Sequence, residues 1–305
     1  MQKKSRRQFL IHAAGLGAAL TTSGLPRRLF ANPLGKPVGI QLYTVNDDMK
    51  RDPAGTLKTL AKIGYREVES AGFAGVEPKT FRRMIDDAGL HCPSAHLEFD
   101  IDNLDKAFEE AHIFGATYAA ASSLIANAAK AMSTKLEWGS AMSREEAKHT
   151  VDIANRIGAA AKKAGLQFIL HNHDREFVDL GNGETGYDIV WRDTDPALVQ
   201  FEIDCGWMAF AGRDPVEYFR KYPGRIPAIH VKDFLPKRDK NGKPMAEKMR
   251  GAEIGRGTVD YRPIFAAAQA GGLKYYFVEQ EGPFSRMPPL DAAKVDYDYL
   301  HAIII

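Results

Sequence analysis

The chain reads as an α/β protein, a (β/α)8 TIM barrel forming one domain over residues 36–305 behind an N-terminal signal peptide. Three observations predict it. Eight short apolar runs alternate with helical patterns from residue 38 to the C-terminus. The length of 305 residues suits one barrel, since single barrels typically hold ~250 residues. The first apolar run passes into Tyr43, Thr44, Val45 and Asn46. A doubly wound sheet would usually place a G-x-G-x-x-G phosphate turn there.

Residues 38–45 are the first strand, apolar and β-branched. Asp52 and Pro53 open a helix that Gly64 ends. Strand two covers 65–69, and a helix follows over 78–88 with Gly89 as its stop. Strand three is 90–96, the next helix 102–114 with Gly115 behind it, and strand four 116–122. Residues 124–142 show little periodicity and read as an insert. Ser143 and Glu146 have capping-box spacing and start a long helix to residue 164, closed by Gly165. Strand five is 166–173 and strand six 199–204, with a short helix over 215–220. Strand seven is 227–232, and a charged, turn-rich excursion occupies 237–248. Gly255, Arg256 and Gly257 read as a turn before the helix 261–270. Strand eight is 274–281, and a helix over 290–301 closes the chain.

Apolar residues make up 45% and charged residues 26%, so the chain can bury a large core. Six of its 41 Lys and Arg lie in residues 1–31, which hold no Asp or Glu, so the rest is slightly acidic. That balance argues against a nucleic-acid partner, which usually demands a basic face. No stretch reaches the roughly 18 apolar residues of a membrane span.

Ser5, Arg6, Arg7, Gln8, Phe9 and Leu10 form a twin-arginine pattern, followed by an apolar, Ala- and Gly-rich run over 11–20. Pro26 and a cut near Ala31 complete a signal peptide over 1–31. The expectation is export by the twin-arginine route to the periplasm, with no stable membrane span after cleavage. Cys92 and Cys205 are too few for a zinc cluster and read as buried thiols.

In a barrel of this class the chemistry sits at the C-terminal ends of the strands. Strand five ends in His171 and His173, strand six in Glu202 and Asp204, strand seven in His230 and Lys232, and strand eight in Glu279 and Glu281. Side chains two apart share a face, so four consecutive strands project imidazoles or carboxylates toward one mouth. Such mixed nitrogen and oxygen donors suit a divalent metal. A lone His or Asp at a strand end is usually a hydrogen-bonding residue or a helix cap; four in register are harder to explain that way. Gln41, Tyr43, Glu69 and His96 at earlier strand ends are further candidates for gripping a polyol, with a plain structural hydrogen bond as the alternative.

These strand ends, with Gly39-Ile40-Gln41-Leu42-Tyr43 at the start and Gly255-Arg256-Gly257-Thr258-Val259-Asp260 late in the chain, resemble the sugar phosphate isomerase/epimerase superfamily, the xylose isomerase-like TIM barrels. The resemblance covers nearly all of the body. It implies one divalent metal ion, most often manganese, with cobalt, magnesium or zinc as alternatives, held by Glu, Asp, His and Glu from strands five to eight. Asp204, His230 and Glu279 match the last three by position, and His171 stands where the strand-five Glu is expected, with His173 as the alternative. The missing Glu counts against a plain two-glutamate epimerase; the related inosose dehydratases, which eliminate water, resemble this chain in a His-rich strand-five end.

The resemblance implies a metal-dependent isomerase or epimerase acting on a sugar or keto-sugar through an enediolate, with acid and base groups moving the proton. Glu279, His173 and Lys232 are the catalytic candidates, and Glu176, Glu281 and Trp207 join Glu69 and His96 as candidate substrate-binding residues. Trp207 suits core packing equally well. The alternatives are a lyase, dehydratase or hydrolase of 3-keto sugars or keto-glycosides on the same site, and a non-catalytic sugar-binding barrel. An endonuclease of the same fold would want a His where Trp207 stands and a D-x-H pair past strand seven, and neither is present. The expected partner is a small carbohydrate, and the apolar Ile303, Ile304 and Ile305 suit a homo-oligomer contact.

Overall fold

A computed structural model describes residues 34–134, 140–181, 183–235, 251–282, 284 and 286–305. The twin-arginine segment and the excursion over 237–248 lie outside the described residues.

Eight parallel strands close into a barrel. They are β1 (Gly39–Gln41), β2 (Glu67–Ala71), β3 (His91–His96), β4 (Tyr118–Ala121), β5 (Gln167–His171), β6 (Val199–Asp204), β7 (Ala228–Val231) and β10 (Tyr275–Val278). The order around the barrel is β1, β10, β7, β6, β5, β4, β3, β2. Between β7 and β10, Asp233–Phe234 (β8) and Gly251–Ala252 (β9) pair antiparallel.

Several helices start where side-chain caps dictate. Asp52 accepts the Gly55 N–H at 2.9 Å ahead of Pro53–Ile63. Ser143 and Glu146 close both halves of the capping box on Arg144–Lys163. Four helices escape the periodicity reading, the first being Asn46–Arg51 ahead of the Asp52 cap. Ile125–Ala131 lies within the expected insert and buries only Ile125, Ala128 and Ala129. Gly186–Asp193 has its own capping box from Thr185 and Asp188. Cys205–Phe210 is capped by Asp204, the last residue of β6.

Strand one is shorter than expected. The Gln41 side chain accepts the Tyr43 N–H at 3.0 Å and turns the chain into a 3-10 helix over Leu42–Val45. Strand five likewise stops at His171 rather than His173, and strand eight at Val278 rather than Glu281.

The barrel interior has two levels. Tyr118, Ala120, Ile169, Ala228 and Phe277 form an apolar cluster inside it. Gly39 leaves room for that packing, since a Cβ there would meet the Phe277 ring at 2.5 Å. One pleat further toward the strand C-termini the interior turns polar, with Glu69, Ser94, His171, Glu202 and His230 all buried. The larger core lies between barrel and helices, where Trp191 stacks on Phe201 with ring centres 3.6 Å apart. Cys92 and Cys205 are buried and unpaired, as expected. No helix among the described residues is long and apolar enough to cross a membrane.

Candidate metal centre

Strand register brings the polar residues together. His171 pairs with Glu202, Asp204 pairs with His230, and Glu69 pairs with both Gln41 and Ser94. Two overlapping groups result, each with donor atoms within 4.8 Å of one another. The upper group is His171, Asp204, His230 and Glu279; the lower is His96, His171, Glu202 and His230.

The upper group carries the four side chains expected from the sequence, one from each of β5, β6 and β7 and one just past β10. His230 Nδ1 lies 2.8 Å from Glu279 Oε2. His171 Nε2 lies 4.0 Å from Asp204 Oδ2. Asp204 divides its oxygens: Oδ1 accepts the Trp207 N–H at 2.9 Å as a helix cap, and Oδ2 faces the site. Lys232 reaches in with Nζ 2.9 Å from Asp204 Oδ2, 2.8 Å from Glu279 Oε2 and 2.6 Å from Glu281 Oε1.

Glu202 is the residue whose part sequence reasoning left unassigned. It shares the inner face with Asp204, and its Oε2 takes His96 Nε2 at 2.8 Å. The signal was present in the two-residue spacing, but a second carboxylate deeper in the barrel matches nothing in the four-ligand pattern. His96 also lies 3.3 Å from Glu69 Oε2 and stacks near His230, ring centres 5.4 Å apart.

Above the group is a cavity of about 450 Å³ lined by Gln41, Tyr43, His96, His171, His173 and Glu279, with Glu98, Ser122 and Glu281 at its sides. Three expected substrate contacts are not among the residues that line this cavity. Glu69 has no exposure and spends its oxygens on Ser94 Oγ at 2.5 Å, Gln41 Nε2 at 3.0 Å and His230 Nε2 at 2.6 Å. Glu176 sits in a 3-10 turn, and its buried carboxylate accepts the His173 N–H at 3.1 Å. Trp207 is half-buried; its ring lies 5.6 Å from both His173 and Phe234, with Lys232 Nζ 5.2 Å from its centre. His173 leaves the strand but keeps its ring 5.1 Å from that of His171.

Burial and charge oppose each other here. Burial pushes Glu202 up to about 7, reinforced by Glu69. It also raises Asp204, against the pull of Lys232. Burial would raise Glu69 and Glu279 too, but His96 and His230 bring Glu69 down to about 2, and Lys232 and His230 hold Glu279 well below the carboxylate range. His171 is driven well below the histidine range by burial and by neighbouring rings, and His173 falls to about 4 through burial and Lys232. Burial likewise works against His230, but Glu202, Glu279 and Glu69 raise it well above that range.

A neutral His171 beside an ionised Glu279 has the protonation states that metal ligation requires, and a cation would displace the proton that the carboxylates hold on His230. Asp204 Oδ2 is buried and aimed at the site, with the Lys232 ammonium beside it but no hydrogen bond of its own. The residues present therefore fit a divalent cation.

The late motif has a structural task. The Asp233 carboxylate accepts N–H groups from Gly255, Gly257, Thr258 and Val259 at 2.8–3.0 Å. The expected turn is thus folded around a buried anion beside the mouth, and a Cβ on Gly257 would meet Asp233 Oδ1 at 2.1 Å.

Residues 57–302 match the profile of the xylose isomerase-like TIM barrels. The chain belongs to that family. Among its relatives is an inosose dehydratase from Clostridium tetani, 30% identical over 160 residues, which are 49% of this chain and 52% of that one. The chain thus spans about half the length of the curated relatives it matches first. A solved sugar phosphate isomerase/epimerase from Parabacteroides distasonis is 26% identical with a TM-score of 0.68, covering 88% of this chain and 94% of that one. A xylose isomerase-like TIM barrel protein from Mycobacterium smegmatis, solved in complex with magnesium, shares the fold with a TM-score of 0.60. It is 18% identical over 87% of this chain and 95% of that one.

Proposed function

We propose that this family member is a divalent-metal-dependent enzyme that moves a proton beside the carbonyl of a sugar or keto-sugar, as an isomerase or epimerase does. One observation carries the reading: His171, Asp204, His230 and Glu279 bring donor atoms within 4.8 Å of one another beneath a cavity of about 450 Å³. A cation held there supplies a Lewis acid for a carbonyl oxygen and its neighbouring hydroxyl. Manganese suits the mixed imidazole and carboxylate donors, as do cobalt, magnesium and zinc.

The chain's own residues do the rest. His173 and Glu281 line the cavity within reach of a bound polyol, and Glu98 and Ser122 offer partners for its hydroxyls. His173, as a neutral imidazole, is the general base for the carbon-bound proton. Lys232, held charged among three carboxylates, stabilises negative charge developing on the substrate oxygen. Glu279 is both ligand and partner of Lys232 and His230.

A second reading, elimination from a 3-keto sugar or keto-glycoside, is favoured by the inosose dehydratase relatives and by His171 standing where the epimerases carry a Glu. The twin-arginine pattern supports a substrate met outside the cytoplasm.

The test is elemental analysis of gently purified protein beside an Asp204→Ala, His230→Ala double variant, followed by deuterium exchange into keto-sugars and keto-glycosides. About one divalent ion per chain, lost in the variant, and solvent deuterium in recovered substrate are expected. No metal after loading with manganese or cobalt would sink the reading. A released aglycone or water, rather than conserved mass, moves it to elimination.

A further inference from the structure

Each of the two site imidazoles has a carboxylate behind it as well as one in front. His230 presents Nδ1 to Glu279 at 2.8 Å and Nε2 to Glu69 at 2.6 Å. His171 presents Nε2 toward Asp204 at 4.0 Å and Nδ1 toward Glu202 at 3.4 Å. Glu69 and Glu202 have no exposure. They enter from β2 and β6, and His96 bridges them, 3.3 and 2.8 Å from their Oε2 atoms.

We propose that Glu69 and Glu202 are positioning residues that fix the tautomer and orientation of His230 and His171. Glu69 takes the N–H at the rear nitrogen of His230, and Glu202 faces the rear nitrogen of His171 at 3.4 Å, which leaves Nδ1 of His230 and Nε2 of His171 to ligate between Asp204 and Glu279. The inference rests on the metal site proposed above. A ligating histidine coordinates through its unprotonated nitrogen, and a carboxylate on the other N–H holds the ring and raises its basicity.

The rival placement is a cation in the lower group of His96, His171, Glu202 and His230. That would use the rear nitrogens instead. Glu69 already holds the rear nitrogen of His230, and is itself held by Ser94 at 2.5 Å and Gln41 at 3.0 Å. Both groups touch the cavity, the upper through His171 and Glu279 and the lower through His96 and His171. The Glu69 contact on the rear nitrogen of His230 is what favours the upper placement.

The experiment uses the full chain with Glu69→Gln, Glu202→Gln, Ser94→Ala and Asp204→Asn variants. Mn(II) affinity is read by the EPR signal of free ion, and ligand geometry by the visible spectrum of Co(II). Circular dichroism reports the fold. Asp204→Asn should lose stoichiometric binding. Glu69→Gln and Glu202→Gln should keep one site with affinity about 10- to 100-fold weaker and a shifted Co(II) band. Ser94→Ala, which loosens Glu69 without removing its charge, should weaken binding less, and serves if Glu69→Gln does not fold. Wild-type affinity and an unshifted band in Glu69→Gln, or in Ser94→Ala if that stands in for it, overturn the inference. So does loss of the site in Glu202→Gln with its retention in Asp204→Asn, which places the cation below. If the wild type itself binds neither ion, the metal reading has failed, and this inference with it.

Discussion

Lys232 Nζ lies 2.9 Å from Asp204 Oδ2, a buried ion pair in the mouth of the barrel that Glu279 and Glu281 extend. Removing one partner of such a pair leaves the others charged and unsolvated, at a cost of ~3–5 kcal/mol. Lys232→Met should therefore unfold at a lower denaturant midpoint. Mn(II) bound at the proposed site would replace the missing positive charge, so it should raise the midpoint of Lys232→Met by more than that of the wild type. Equal stability of the two metal-free proteins would contradict this account.

Asp296 gives a pH dependence of stability. Burial, reinforced by Glu253 and Asp233 and opposed by Arg256, raises its carboxyl from 3.8 to about 8. A raised acid contributes full stability below its unfolded value and loses it as pH rises toward the folded one. Between pH 4 and 8 Asp296 should thus cost on the order of 2–5 kcal/mol. Asp296→Asn keeps an oxygen for the Ile254 N–H, now met at 2.7 Å. The variant should gain on the wild type as pH rises, a trend that chemical denaturation at pH 5 and pH 8 would measure.

The Asp233 clip should govern the loop after β9. Asp233→Ala strands the Phe234 N–H and four backbone donors of the loop, Gly255, Gly257, Thr258 and Val259. Unsatisfied buried donors cost ~1–3 kcal/mol each, less where water reaches them. Faster amide hydrogen exchange over residues 254–259, with the barrel strands still protected, is the expected result. Uniform loss of protection would instead assign Asp233 to global stability.

Gly39→Ala tests the barrel interior. The added methyl must displace the Phe277 ring or the Tyr276 carbonyl, 2.9 Å away. Overpacking of this kind costs ~1–3 kcal/mol. Thermal melts should show the loss, and Phe277→Leu in the same background should recover part of it.

The sequence by itself determined the barrel, because alternating strand and helix signals with Gly stops and side-chain caps are local properties. Asp52 and Ser143 announce their helices through hydrogen bonds spanning three residues. The period-two spacing likewise made the His and carboxylate residues at the ends of strands five to eight legible as one inward-facing set, from which the family resemblance singled out His171, Asp204, His230 and Glu279. Tertiary structure alone decided what each does with its neighbours. Whether Glu69 meets a substrate or the back of His230 depends on the closure that sets β2 and β7 across the same interior. Whether Glu176 lines the cavity depends on a 3-10 turn that points it at the His173 amide. Even where β1 ends was decided by Gln41 capping the next turn rather than by its apolar run. Local pattern specifies which face a side chain leaves from; the contacts it finds there come from strands far away in the chain, brought close only when the barrel shuts.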